Sequence, residues 1–235
     1  GRMLSVDASS YILLSGNYWR IAVSRCAYVV VETINGKPVV VEENYEDHVF
    51  GVVCHPLRRL YEVWSILRKF ESELALKTIK ALDFGSEDFC LLDGAAYFGG
   101  AKNFLLKLYE EAESRGVKMV TIPKRSLRLL DSQGRDLLAS LSFFGEKLQQ
   151  EGRLSQTWMY YPVKVGRVRG LRLYAKVSVL KLSPSSPRVF RCDFLEYLAD
   201  DAELVADIVS KLAYLSRDAR CDGYPAPLYL AHKAT

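Results

Sequence analysis

A chain of 235 residues, 49% of them apolar, is long enough to bury one sizeable core, and a single domain is expected over residues 3–235. Its formal charge of +4 permits a polyanionic partner without demanding one, and no run approaches the roughly 18 apolar residues that a membrane span requires. Cys26, Cys54, Cys90, Cys192 and Cys221 lack the paired spacing of a zinc site and read as free, mostly buried thiols. Gly1 and Arg2 ahead of Met3 read as the remnant of an expression tag. The residues after Met3 form neither a basic n-region nor an apolar signal core, so a soluble cytoplasmic protein is expected.

Met3 to Asp7 reads as a short strand that ends on its aspartate. A second strand, residues 18–32, is rich in β-branched residues, and the turn Asn35-Gly36-Lys37-Pro38 separates it from Val39-Val40-Val41, giving an antiparallel meander. After Pro56 the apolar spacing predicts a long helix to about Leu82, then a buried strand, residues 89–92, that stops at Asp93-Gly94. A helix over residues 102–114 leads through Gly116 to a strand over residues 117–122. Residues 127–150 read as a helix interrupted near Gly134, followed by strands over 157–163, 171–180 and 189–194. A last amphipathic helix carries Leu198, Ala202, Val205, Val209 and Leu212, and Gly223, Pro225 and Pro227 end it before a short tail. This order specifies an α/β fold, a mixed sheet with an antiparallel meander, flanked by helices.

Asp7 and Asp93 each close an apolar strand and precede a small residue, Ala8 and Gly94. Ligands of open α/β sheets sit beyond the carboxyl ends of strands, so two such aspartates on neighbouring strands are placed to share a cation. Either one alone reads equally as a turn former or helix N-cap. On the long helix, Leu57, Leu60, Tyr61, Trp64, Leu67 and Leu74 form one stripe. At 100° per residue Glu71 lies within about 20° of its centre and Glu73 about 160° away, so Glu71 points inward. A carboxylate on a core face costs several kcal/mol unless it is neutralised, hydrogen-bonded or bound to metal. An ion pair with Arg68 and a metal-ligand role both meet that need. Two aspartates and a glutamate form the oxygen set that magnesium or manganese prefers, whereas no G-x-S-x-G elbow or Walker loop supports other chemistry. Basic residues gather at Lys124, Arg125 and Arg128, and at Lys164, Arg167, Arg169 and Arg172, among Trp158, Tyr160, Tyr161 and Tyr174. That mixture suits a polyanion with stackable bases and equally a solvated ribbon face.

Three segments carry a family resemblance: Val6-Asp7-Ala8-Ser9, Leu92-Asp93-Gly94, and Tyr224-Pro225-Ala226-Pro227-Leu228 followed by Ala231-His232. In that order, with Lys124-Arg125-Ser126 after the third major strand, the chain resembles the NurA nucleases over nearly its whole length. The family's helical glutamate is assigned to Glu71 by phase, with Glu73 the rival register. Ala8 departs from the usual glycine, Ala95 from the usual serine, and little sequence precedes Asp7, which bears on a dimerisation segment. The resemblance implies an RNase H-like fold and a manganese-dependent deoxyribonuclease, with magnesium the alternative ion. Asp7, Glu71, Asp93 and His232 are then the metal ligands, His232 alternatively a proton relay, with Tyr224 on the scissile phosphate and DNA along Lys124, Arg125, Arg167 and Arg169. It further implies 5′ to 3′ exonuclease action, with single-strand endonuclease action as an addition, in end resection beside a HerA-type hexameric ATPase, and a homodimer. Two rivals stand beside it: a nucleic-acid-binding or adaptor module of the same fold without catalysis, and a phosphatase for small substrates, which would need a closed pocket.

Overall fold

The computed structural model describes residues 1–99, 103–124, 129–131, 133–166 and 170–235. Three long strands, β1 (Met3–Ser15), β2 (Trp19–Ile34) and β3 (Lys37–Val53), form the expected antiparallel meander, with Asn35 and Gly36 at positive φ in its second turn. The helix α1 (Arg59–Ala81) follows, then β4 (Phe89–Leu92), which lies parallel to β1. A two-residue strand, β5 (Tyr97–Phe98), and the helix α2 (Phe104–Arg115) lead to β6 (Lys118–Thr121), parallel to β4. The rest of the chain supplies α3 (Leu137–Gln150), β7 (Trp158–Val163), β8 (Arg172–Leu173), β9 (Ala175–Lys181), β10 (Phe190–Leu195), α4 (Glu196–Ala199), α5 (Ala202–Leu215) and α6 (Ala226–Ala234). The main sheet has eight strands in the order β3-β2-β1-β4-β6-β10-β9-β7, while β5 and β8 pair as a separate ribbon.

Pleating assigns the two faces. Leu4, Val6, Cys90 and Leu92 pack against Leu74, Ile79, Leu105 and Leu108 of α1 and α2, and the alternate residues Met3, Phe89 and Leu91 pack against Val205, Ile208 and Leu212 of α5. Strands buried on both faces need unbroken apolar runs, which is why Phe89-Cys90-Leu91-Leu92 is legible as a strand at all. All five cysteines are free and four are buried. No helix among the described residues is long and apolar enough to cross a membrane. Arg2 is bound into the fold, its backbone N–H and guanidinium donating to Asp88 and its guanidinium lying over Phe84.

Several elements differ from expectation, each for a local reason. The strand expected to stop at Asp7 runs on to Ser15, because Ala8 to Ser15 pair with Arg20 to Cys26 of β2; only the ladder to β4 stops there. The first half of the apolar stripe is open to solvent: Leu57, in the turn just ahead of α1, and Leu60, Tyr61 and Trp64 are exposed, whereas Val63, Leu74, Ala75 and Ile79 are buried. Among the described residues of 127–150, helix begins only at Leu137, since Asp136 caps it by accepting from Ala139 N–H and Asp131 closes a turn ahead of it through Gln133 and Arg135. The strand expected over 171–180 divides at Tyr174, whose N–H turns to Ala96 O. Asp201 caps α5 and so separates it from α4. The supposed tail is α6, with Pro225 at its N-cap and Pro227 in its first turn, where a missing N–H costs nothing; prolines read as terminators start a helix.

Candidate active site

The parallel ladder between β1 and β4 ends at Val6 opposite Leu92, so the next residue of each strand, Asp7 and Asp93, stand side by side. This is the carboxyl end of the parallel strands, where α/β sheets bind ligands. Alternation places Asp7 on the face of Met3, the face that α6 covers farther along β1 and β2. From α6, His232 brings Nδ1 to 2.8 Å from Asp7 Oδ2, and Thr235 Oγ1 donates to the same oxygen at 3.4 Å. Asp93 Oδ1 accepts the Lys124 backbone N–H at 2.9 Å, where the chain leaves β6. Asp7, Ala8, Asp93, Lys124, Tyr224, Leu228 and His232 line a cavity of about 120 Å³.

Glu71 reaches the same place from the other face of the sheet. It is 8% exposed, whereas Glu73 is exposed and pairs with Lys69. Glu71 Oε1 accepts from Ala8 N–H at 3.1 Å and Oε2 from Arg68 Nη1 at 3.2 Å. The same nitrogen of Arg68 also donates to the main-chain oxygen of Asp93, tying α1 to the end of β4. Gly94 makes room for this. Its φ is +102°, and a Cβ there would lie 3.1 Å from the guanidinium carbon of Arg68, so a side chain is disfavoured on both counts.

Burial pushes Glu71 up to about 8; Arg68 opposes the shift, and the neighbouring charges of Asp7 and Asp93 add to it. Asp93 is raised as well, by burial first, against the Lys124 N–H and Arg68. A carboxyl that binds its proton more tightly folded than unfolded contributes its stability below its ordinary value of 4.5, and that contribution is lost as pH rises through about 8. The metal-free protein is therefore expected to lose stability over that interval, and Glu71→Gln to flatten the slope. Thermal unfolding in chelator across pH checks this; an unchanged slope in the variant would identify another group as its source.

Tyr224 is buried and its hydroxyl donates to Ile122 O at 2.8 Å, so it forms a wall of the cavity with its O–H committed to the backbone. Lys124 is exposed at the rim. Arg125, Arg167 and Arg169, expected on the DNA path, lie outside the described residues. Sequence reasoning missed Arg191 and Asp193. Arg191 Nε and Nη2 donate to Asp193 Oδ1 and Oδ2 at 2.6 and 2.9 Å, and Asp193 Oδ2 also accepts Ala96 N–H at 2.9 Å, pinning the turn that follows Asp93. The signal was there: Arg191 and Asp193 are two residues apart in an apolar strand, so they share a face and must satisfy each other.

Among the described residues, no three His, Cys, Asp or Glu side chains converge closely enough to form a ready metal cage. The donor chemistry nevertheless fits a hard divalent cation: two carboxylates side by side, an imidazole on one of them, and like charges whose repulsion a cation relieves. Asp7 and Asp93 would hold it, with His232 bound to Asp7 as their outer partner. Glu71 has one hydrogen bond on each oxygen and a second lone pair on each, so an ionised Glu71 could join them with both bonds kept.

No family model matches the sequence, and no curated protein matches it. Solved structures do. The NurA nuclease from Sulfolobus solfataricus is similar at a TM-score of 0.65 and 16% identity, over 99% of this chain and 78% of that one. A NurA crystallised with manganese is similar at 0.59 and 8%, over 99% and 85%. Ciona intestinalis endonuclease V, bound to a DNA containing inosine, is similar at 0.55 and 14%, over 99% and 83%. At such identities the likeness establishes the fold, a mixed α/β sheet flanked by helices as in RNase H-like nucleases.

Proposed function

We propose that this chain is a metal-dependent deoxyribonuclease that hydrolyses phosphodiesters with manganese, or magnesium in its place. The observation that carries the reading is the Asp7–Asp93 pair at the ends of adjacent parallel strands, with His232 hydrogen-bonded to Asp7. Nuclease neighbours of the same fold support it, one crystallised with manganese and another with DNA. Divalent cations held at Asp7 and Asp93 would supply an activated water and charge stabilisation at the leaving oxygen. The chain does the rest. Asp7 and Asp93 set the position of the reacting phosphate, Lys124 meets its charge at the rim, and Leu228 keeps the inner wall dry. His232 is placed to hold a proton and return it as the water oxygen bonds to phosphorus and the bond to the departing sugar oxygen breaks.

In its finer form the reading is a 5′ to 3′ exonuclease, with single-strand endonuclease action, resecting DNA ends in the cytoplasm as a homodimer beside a HerA-type ATPase. Surface for partners is available: Tyr11, Leu14, Val49 and Val53 at the far end of the meander are exposed, as are Leu57 just ahead of α1 and Leu60 and Trp64 on it. One observation favours the alternative, a module that binds nucleic acid without cutting it: Glu71 is already engaged by Arg68 and Ala8. End-labelled single-stranded and duplex DNA, incubated with manganese and again with chelator, separates the two. Cleavage with manganese alone is expected; binding without cleavage at saturating manganese would establish the module. His232→Ala is expected to lower the cleavage rate by about a hundredfold with DNA affinity close to wild type. Equal loss of both would make His232 a binding residue.

A further inference from the structure

The sheet does not end where Asp7 and Asp93 stand. Beyond Asp7, β1 continues with β2 and β3 as a three-stranded arm, and its ladder to β2 is unbroken from Met3 to Ile12. Alternation therefore puts Ser9 and Tyr11 on the face of Asp7. Register carries that face across the arm: Tyr45 lies in the row of Asp7, Val49 in the row of Tyr11, and Trp19 and Val53 form the outermost row. Helix α6 reaches this face as far as Ser9, whose hydroxyl donates to Thr235 O; beyond it Tyr11 is 72% exposed, Val49 72% and Val53 83%. The other face of the arm is covered, with His48 and Phe50 packed on Phe70 of α1.

An antiparallel sheet covered on one side normally turns polar residues to water on the other. Here the open positions are aromatic and aliphatic instead, which marks a binding face. Tyr11, Trp19 and Tyr45 present rings on a pleated surface, as do sheets that stack the bases of single-stranded nucleic acid. Two of the rings are held in place. The indole of Trp19 lies against Gly16, where a Cβ would come within 2.4 Å of its Nε1, and the Arg25 guanidinium lies 4.1 Å over the ring of Tyr45 while pairing with Asp47. At roughly 3.4 Å per residue, Tyr11 stands about 13 Å from Asp7 along β1, and Trp19 about as far again along the arm. The rings thus follow one line that starts at the candidate active site.

We propose that the open face of this arm is a stacking platform for single-stranded DNA, which holds unpaired bases on Tyr11 and Trp19 and leads the strand to the phosphate position at Asp7 and Asp93. The proposal rests on the nuclease reading and adds the substrate class: a strand unpaired for several nucleotides beside the scissile phosphate. A duplex hides its base faces in its own stack and gains nothing from these rings.

Fluorescence anisotropy of the full chain with a short labelled single strand, in chelator so that nothing is cut, tests this. Wild type is expected to bind that strand about tenfold or more tighter than an abasic strand of equal length and charge. Tyr11→Ser and Trp19→Ser are each expected to lose about tenfold with the normal strand and nothing with the abasic strand or with duplex. Intrinsic fluorescence gives a separate reading: the normal strand is expected to quench Trp19, and Trp19→Phe to remove that part of the quench. Equal affinity of wild type for normal and abasic strands would overturn the platform, as would wild-type affinity in both variants. Sedimentation of the same samples identifies the other occupant. A fall from dimer to monomer on Tyr11→Ser, with equal loss for normal and abasic strands, would make the face a contact between copies and sink the proposal. Base-dependent binding without any cleavage at saturating manganese would keep the platform and overturn the nuclease reading; manganese-dependent cleavage with no base dependence would do the reverse.

Discussion

Asp93→Asn is expected to lower manganese-dependent cleavage by about a thousandfold or more while leaving the fold in place, and Asp7→Asn to do the same. The two residues continue the paired strands beyond Val6 and Leu92, so each supplies one side of the same cation site. An amide is nearly isosteric with a carboxylate but is a poor ligand for a hard cation and adds no negative charge. The result is a loss of several kcal/mol of transition-state stabilisation, which is about three decades in rate. Without metal the variants are expected to be at least as stable as wild type. Asp93 is held above its ordinary value chiefly by burial, helped by the charge of Asp7, so replacing either carboxylate relieves repulsion. Cleavage of labelled DNA and thermal unfolding, measured on the same preparations, decide the matter. A wild-type rate in either variant at saturating manganese would remove that residue from the active site.

Asp193→Ala is expected to cost about 3–5 kcal/mol of stability, because it strands the buried guanidinium of Arg191. The side chains of Arg191 and Asp193 are 5% and 0% exposed and joined by two hydrogen bonds, so neither has water to fall back on. Burial leaves Asp193 above its ordinary value even with Arg191 beside it, which indicates that desolvation consumes much of what the pair returns. Replacing both residues together, Arg191→Met with Asp193→Leu, is therefore expected to recover most of the loss. It would not recover the hydrogen bond to Ala96 N–H, so the turn carrying Asp93 should remain displaced and cleavage impaired in the double variant. Urea unfolding of Asp193→Ala and of the double variant, followed by rate measurements, separates these effects. A double variant no more stable than Asp193→Ala would show that the pair is a net stabiliser instead.

The sequence by itself determined the elements whose environment is written in their own residues. Phe89 to Leu92 is legible because a strand buried on both faces must be apolar throughout, and α2 ends at Gly116 because a left-handed cap favours glycine. The inward direction of Glu71 was legible too, since helical phase depends only on spacing. Only the tertiary structure decided that β1 runs past Asp7: Ala8-Ser9-Ser10 shows no apolar alternation, and its strand character comes from pairing with β2. The same holds for α6, whose prolines look like breakers until the chain places them in a first turn, and for the open half of α1, whose apolar stripe carries no mark of what fails to cover it. Sequence left Glu71 open between ion pair and ligand; the observed bond from Arg68, which also holds the carbonyl of Asp93, depends on how closely α1 docks against β4. Periodicity reports the surroundings of one element, whereas distances between side chains on different elements follow from sheet register and helix docking, and those are set by contacts remote in the chain.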